Sequence, residues 1–260
     1  MNRKIKQFLK NPTKEYRKIP NFLKKSLEKR FSPFLFKNRR RIFEFFGSDY
    51  YSKPYPHHDV ILKYLNKEKG FFVECGGNDG HHFDPTYFLE KFRKWKGIIV
   101  EPLPIYKICK KNRKKSVIYN CALSNPGMEG KKIEIINCGC LSFINDKQKD
   151  RLEWASKNKI SLKSKNKKVS TIAHTLNFIL DNYFSKHDLK EIDLLVIDVE
   201  TYEWEVLMGI NLDKYKPKFI LIEIHKKNCF DRIKNLLNKN YYLLEDLGLS
   251  DYLFKIKSNS

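Results

Sequence analysis

The stretch FFVECGGNDG, residues 71–80, limits what this chain can fold into more than any other. A short apolar run broken by adjacent glycines, Gly76 and Gly77, and followed by Asn78, Asp79 and Gly80, reads as a buried strand ending in a tight turn. Glycine permits backbone angles and close approaches that other residues forbid. In open α/β sheets a ligand sits at such a strand end. A second apolar run, GIIVE at 97–101, ends in Glu101. An acid about 20 residues beyond a glycine turn is where nucleotide-binding folds hold ribose hydroxyls.

The glycines do not spell G-x-G-x-x-G, and no G-x-x-x-x-G-K-[ST] occurs. The next helix is expected to start late, with Asp84 as N-cap and Pro85 at its first position. A pyrophosphate would find no helix N-terminus beside the glycine turn. A nucleoside without phosphates fits better, and S-adenosylmethionine is the common one.

The rest of the chain alternates. A helix is expected over 57–69, strands over 71–75, 97–101 and 116–120, and helices over 85–94 and from Pro104 to about Asn112. Residues 124–168 are less regular, with KKIEII at 131–136 as a short strand, and are expected to lie over the crevice. Then follow VSTI, the helix HTLNFILDNYF, the strand IDLLVIDV at 192–199, a helix carrying Trp204, and the strand KFILIEI at 218–224. A helix near 228–238 and two β-like runs complete the chain, the runs reading as an antiparallel hairpin. Strands separated by helices imply a parallel α/β sheet.

Residues 1–56 differ in character and are read as a separate basic, aromatic-rich appendage and linker, with 57–260 as the main domain. The segment PNFLKKSLEKR at 20–30 has helical apolar spacing with Lys between. Such a basic amphipathic helix suits either an anionic bilayer or the domain's own surface. The whole chain carries a formal net charge of +22, which favours anionic partners. Six cysteines without a C-x-x-C argue against a zinc ribbon or a thioredoxin motif. No apolar run reaches membrane-spanning length. The expected location is therefore cytoplasmic, with peripheral contact at the inner membrane face through residues 1–50.

Five blocks in order, FVECGGNDG, WKGIIVEPLP, NCALS (120–124), LLVIDVETYEWEVLMG (194–209) and ILIEIH (220–225), resemble the FkbM family of S-adenosylmethionine-dependent methyltransferases. The resemblance covers roughly residues 70–225. It implies a Rossmann-like seven-stranded sheet, mostly parallel, with helices on both faces and an antiparallel C-terminal hairpin. It also implies roles: Glu74, Gly76, Gly77, Asn78 and Gly80 shape the methionine pocket, Glu101 takes the ribose hydroxyls, Pro102 turns the chain, and Cys121 and Ala122 border the adenine. Asp198 and Glu200 match the acids of the family's D-V-E block. Thr201 stands where the family often has Gly, and Val196 where it often has Lys. Members usually methylate hydroxyls of sugars, glycolipids, polyketides and related metabolites, so the expected acceptor is a sugar, glycan or nucleotide-linked small molecule of bacterial surface-polysaccharide synthesis. An RNA methyltransferase, or a non-catalytic basic module on membrane or nucleic acid, is the alternative.

Methyl transfer needs an acceptor oxygen held in line and relieved of its proton. Positioning can supply roughly 7–11 kcal/mol of such a barrier, and a general base about 10²–10⁴-fold. Asp198, Glu200 and His225 are the catalytic candidates, with Glu223 beside them. If the strand continues, Asp198 and Glu200 share a face and, with Glu223 or His225, could ligate a divalent cation. Sequence alone favours the metal-free arrangement, in which one carboxylate meets the cofactor's amino group and the other meets substrate.

Overall fold

The computed structural model describes residues 58–157, 168–187 and 191–258. The expected appendage at 1–56, and residues 158–167 of the irregular stretch 124–168, fall outside these residues.

In chain order the elements are α1 (His58–Tyr64), β1 (Phe71–Cys75), α2 (Tyr87–Phe92), β2 (Lys96–Val100), α3 (Tyr106–Asn112), β3 (Ser116–Tyr119), β4 (Ala122–Leu123), β5 (Lys132–Ile136), β6 (Phe143–Ile144), α4 (Gln148–Lys157), β7 (Lys168–His174), α5 (Leu176–Phe184), β8 (Leu194–Ile197), α6 (Glu203–Met208), α7 (Leu212–Tyr215), β9 (Phe219–Glu223), α8 (Lys227–Leu237), β10 (Tyr241–Gly248) and β11 (Asp251–Ile256). Seven strands form one sheet in the order β10-β11-β9-β8-β1-β2-β3. Its first five strands in sequence, β1, β2, β3, β8 and β9, pair in parallel, and β10 and β11 add an antiparallel hairpin. This is the expected Rossmann-like sheet.

The central strands are buried on both faces, as parallel strands between helix layers must be. Phe71, Val73 and Cys75 of β1 face a core formed with α5, α6 and α8. Phe72 faces the opposite core, with residues of α1, α2 and α3. Period-two alternation along a single strand thus builds two layers.

The irregular middle of the chain folds into a second sheet, β4-β7-β5-β6, over a small core that includes Leu103, Ile133, Ile135, Ile144 and Tyr202. This sheet carries the part of 124–168 expected above the crevice. Among the described residues, no helix is long and apolar enough to cross a membrane.

Two element boundaries differ from expectation for identifiable reasons. The first helix ends at Tyr64 rather than at 69. The Lys67 carbonyl accepts the Trp95 indole N–H at 2.8 Å, and the Lys69 N–H donates to the Arg93 carbonyl at 2.8 Å. Beyond Leu65, whose N–H still donates to the Ile61 carbonyl, Lys67 and Lys69 bond to the α2–β2 connection instead of continuing a helical ladder. β8 stops at Ile197, and Glu200 and Thr201 adopt φ of 55° and 82°. Asp198 and Glu200 consequently do not alternate along a strand.

Trp95 is fully buried and lies flat behind Gly70, where an added Cβ would come within 2.4 Å of the indole. The ring cannot yield without losing its hydrogen bond. Gly70→Ala should therefore lower stability by about 1–3 kcal/mol, the usual overpacking cost. Urea denaturation would read this as a lower midpoint at an unchanged m-value.

Candidate functional site

A crevice opens at the C-terminal ends of β1, β2 and β8, enclosing an empty volume of about 980 Å³ that includes its open mouth. Its floor is the glycine turn. Gly76 has φ of 95°, and a Cβ there would lie 1.8 Å from the Asp198 carbonyl oxygen. A Cβ on Gly77 would lie 2.1 Å from the Ile99 side chain. Both glycines are thus demanded by the closeness of neighbouring strand ends, and the crevice inherits bare backbone as its floor. Gly80, with φ of 72°, is not on the crevice wall; it packs against Arg113 and Cys109.

Glu101 is buried at the end of β2 and lines the crevice. One carboxylate oxygen accepts the Asn78 N–H at 2.7 Å and the other accepts the Leu103 N–H at 2.8 Å. Asn78 reaches this position with φ of 44°. The Asn120 side-chain amide donates to the carbonyls of Glu101 and Pro102 at 2.9 and 3.0 Å, fixing the turn that Pro102 makes. Each carboxylate oxygen keeps lone-pair capacity for a further donor. Burial pushes the Glu101 carboxyl up to about 7, against the pull of its two backbone donors.

Pro102, Cys121 and Ala122 also line the crevice. The wall continues through Leu103, Leu123, Ile135, Phe143 and Ile144, largely residues of the second sheet. Sequence reading placed that segment correctly but did not name its apolar side chains.

Glu74, also on the wall, belongs to a buried ionic cluster that sequence reading missed. Arg113, fully buried, reaches Asp84 at 2.5 Å, Glu90 at 3.0 Å and Glu74 at 3.5 Å. The Thr86 hydroxyl donates to Glu74 at 2.6 Å. Burial and the Asp84 carboxylate push the Glu74 carboxyl well above its usual range despite Arg113. Asp84 also accepts the N–H groups of Thr86 and Tyr87 at 2.9 and 2.7 Å, but α2 begins at Tyr87 with Thr86 at its N-cap, two residues beyond the cap expected at Asp84. The N–H groups a phosphate would need are therefore already used.

On the far side lie Asp198 and Glu200, both in the crevice wall. Asp198 is solvent-exposed where it lines the crevice. Enclosure and the neighbouring Glu223 and Glu200 carboxylates raise its carboxyl well above the ordinary value. His225 is not in the wall. Its Nε2 lies 3.2 Å from a Glu223 oxygen and 3.7 Å from a Glu200 oxygen. Those contacts outweigh burial and hold the imidazole up at about 9. Of the histidines on the glycine loop, His82 lines the crevice mouth with its Nδ1 2.5 Å from Asp79, while His81 is buried against Tyr87.

The arrangement can therefore bind a compound with vicinal hydroxyls at Glu101 and an apolar plane between Leu103, Cys121 and the second sheet, and can place acids at the other end.

Comparison with known proteins bears on the same segment. The family model described as the Methyltransferase FkbM domain matches residues 74–245. The FkbM methyltransferase structure from Methylobacillus flagellatus KT is similar at 12% identity and a TM-score of 0.44, over 72% of this chain and 43% of that one. The present chain thus spans less than half the length of that protein. A precorrin-6y C5,15-methyltransferase from Geobacter metallireducens GS-15 gives 9% identity and 0.42, over 77% and 87%. TYW2 from M. jannaschii, in complex with AdoMet, gives 11% and 0.32, over 80% and 78%. No curated protein matches the sequence.

Arg113→Met should cost about 3–5 kcal/mol, because it strands buried carboxylates without their cation. Arg113→Lys should recover little of this, since one ammonium cannot span the directions served by Nε, Nη1 and Nη2. Chemical denaturation of the two variants beside the parent checks both expectations.

Proposed function

The chain belongs to the FkbM methyltransferase family, and from that premise we propose that it moves the methyl group of S-adenosylmethionine to a hydroxyl of a sugar, glycan or nucleotide-linked small molecule. The observation that carries this reading is the Glu101 carboxylate, pinned by two backbone N–H groups at the crevice wall. A carboxylate already oriented loses little freedom on meeting a pair of ribose hydroxyls. The apolar stretch of Leu103, Cys121, Ala122 and Leu123 suits a flat base. The acids Asp198 and Glu200 suit a cation, which the amino group and the sulfonium both are.

When bound, S-adenosylmethionine supplies an electrophilic methyl on a positively charged sulfur. The protein's part is to hold the acceptor oxygen and take its proton. Asp198 reaches the crevice directly, where its carboxylate can accept the hydroxyl proton. Glu200 reaches it too, with His225 behind as the group that orients Glu200. An acceptor bearing phosphate or uronate would be drawn by the net positive charge. Such acceptors occur in bacterial surface-polysaccharide synthesis, in the cytoplasm or at the inner face of its membrane, and we assign the enzyme there.

Isothermal titration with S-adenosylmethionine and with its demethylated product tests the cofactor half. Glu101→Ala should weaken binding about 10–100-fold, the loss of charge-assisted hydrogen bonds. Labelled methyl transfer to a panel of nucleotide sugars and oligosaccharides tests the acceptor half; transfer to RNA alone would replace it.

The pH dependence has a definite sign. Ribose hydroxyls donate to ionised Glu101, so binding favours the deprotonated form. Cofactor affinity should hold above pH 7 and fall below about 7, approaching tenfold per unit. The same titration in Glu101→Ala should lose that slope.

A further inference from the structure

Glu200, Glu223 and His225 meet at the C-terminal ends of β8 and β9. One ligand atom from each lies within 4.8 Å of the other two. Their side chains are 13%, 21% and 8% exposed. Two carboxylates and an imidazole form a mixed oxygen–nitrogen donor set, which an acidic surface patch does not offer. The distances also suit an ion. Three ligands about 2.1 Å from one centre stand about 3.0 Å apart at octahedral edges and about 3.4 Å apart at tetrahedral ones. The imidazole lies 3.2 Å from Glu223 and 3.7 Å from Glu200, so closing on an ion needs shifts of tenths of an ångström at these edges.

We propose that Glu200, Glu223 and His225 bind one first-row divalent cation, Mn²⁺ or Zn²⁺, against the crevice wall. Imidazole favours such ions over Mg²⁺ and Ca²⁺, and the carboxylates neutralise them. Three protein ligands leave further positions open, the pattern of a reactive rather than a closed structural site. The trio borders the crevice through Glu200, next to Asp198. What the ion does there rests on the methyltransferase reading: it takes the acceptor oxygen as a ligand and eases its ionisation. The hydroxyl proton passes to Asp198, the oxygen lone pair forms the new C–O bond, and the C–S bonding pair returns to sulfur. Atoms and charge balance without an oxidant or reductant.

The test uses the full chain, stripped with chelator and titrated with Mn²⁺ alone, followed by electron paramagnetic resonance. One Mn²⁺ per chain is expected, displaced by Zn²⁺, with ¹⁴N coupling from a single imidazole in the pulsed spectrum. Glu223→Gln and His225→Gln, checked for folding by circular dichroism, should each weaken binding at least about tenfold. Asp213→Asn, a surface carboxylate of α7, should not. Absence of stoichiometric binding, or bound Mn²⁺ without nitrogen coupling, overturns the site even if neither variant folds. S-adenosylmethionine binding is measured separately in chelator. Cofactor binding without Mn²⁺ binding defeats this inference alone, and Mn²⁺ binding without cofactor binding defeats the functional reading alone.

Discussion

The contact on which the site depends is the approach of two strand ends at Gly76. Its Cα hydrogens face the Asp198 carbonyl so closely that a Cβ would lie 1.8 Å from that oxygen. The Asp198 N–H donates to the Cys75 carbonyl at 3.0 Å, and the Gly76 N–H donates to the Val100 carbonyl at 2.9 Å. Three strands are thereby locked at their C-terminal ends within one turn of chain. Glu101 follows β2, Asp198 follows β8, and the glycine turn lies between them. Their opposition across the crevice results from backbone geometry, before any side chain chooses a rotamer. An alanine at this point would have to separate β1 from β8, and the two carboxylates would move apart with them.

What was legible in the sequence is what local pattern encodes. β1, β2 and the glycine turn announce themselves by an apolar run broken at fixed places, and Glu101 by its position at a strand end. Arg113 did not, because it stands in KKNRKKS, where a cation reads as one more solvated charge. The available signal lay elsewhere: Glu74 sits inside an otherwise apolar strand, and a buried carboxylate needs a partner. Glu223 and His225 were legible as strand-end candidates that could meet Glu200, whereas the backbone that brings them together was not. That meeting depends on β8 ending at Ile197 and on two consecutive residues with positive φ, Glu200 and Thr201, neither of which is glycine. Positive φ at such residues costs energy and is invisible to periodicity.

The glycines also show how one pattern can have two causes. Gly76 and Gly77 line the crevice, as a ligand-binding reading expects. Yet packing against Asp198 and Ile99 would require them even in an empty fold. Gly80 has the packing role without the crevice. A glycine motif of this kind therefore marks where strand ends converge, and a ligand site follows because convergence leaves backbone uncovered.

Net charge is a poor guide to such a site. The chain carries +22 overall, yet the crevice presents Glu74, Glu101, Asp198 and Glu200. The excess lysines act at long range on anything anionic that approaches, and that attraction is screened beyond about 8–10 Å in salt. Inside the crevice the lining carries these acids and no lysine or arginine, so the short-range contacts on offer are to carboxyl groups. A cationic cofactor and an anionic acceptor can then be drawn to the same protein by different parts of its field. The two demands do not conflict, because the distance at which each acts is different.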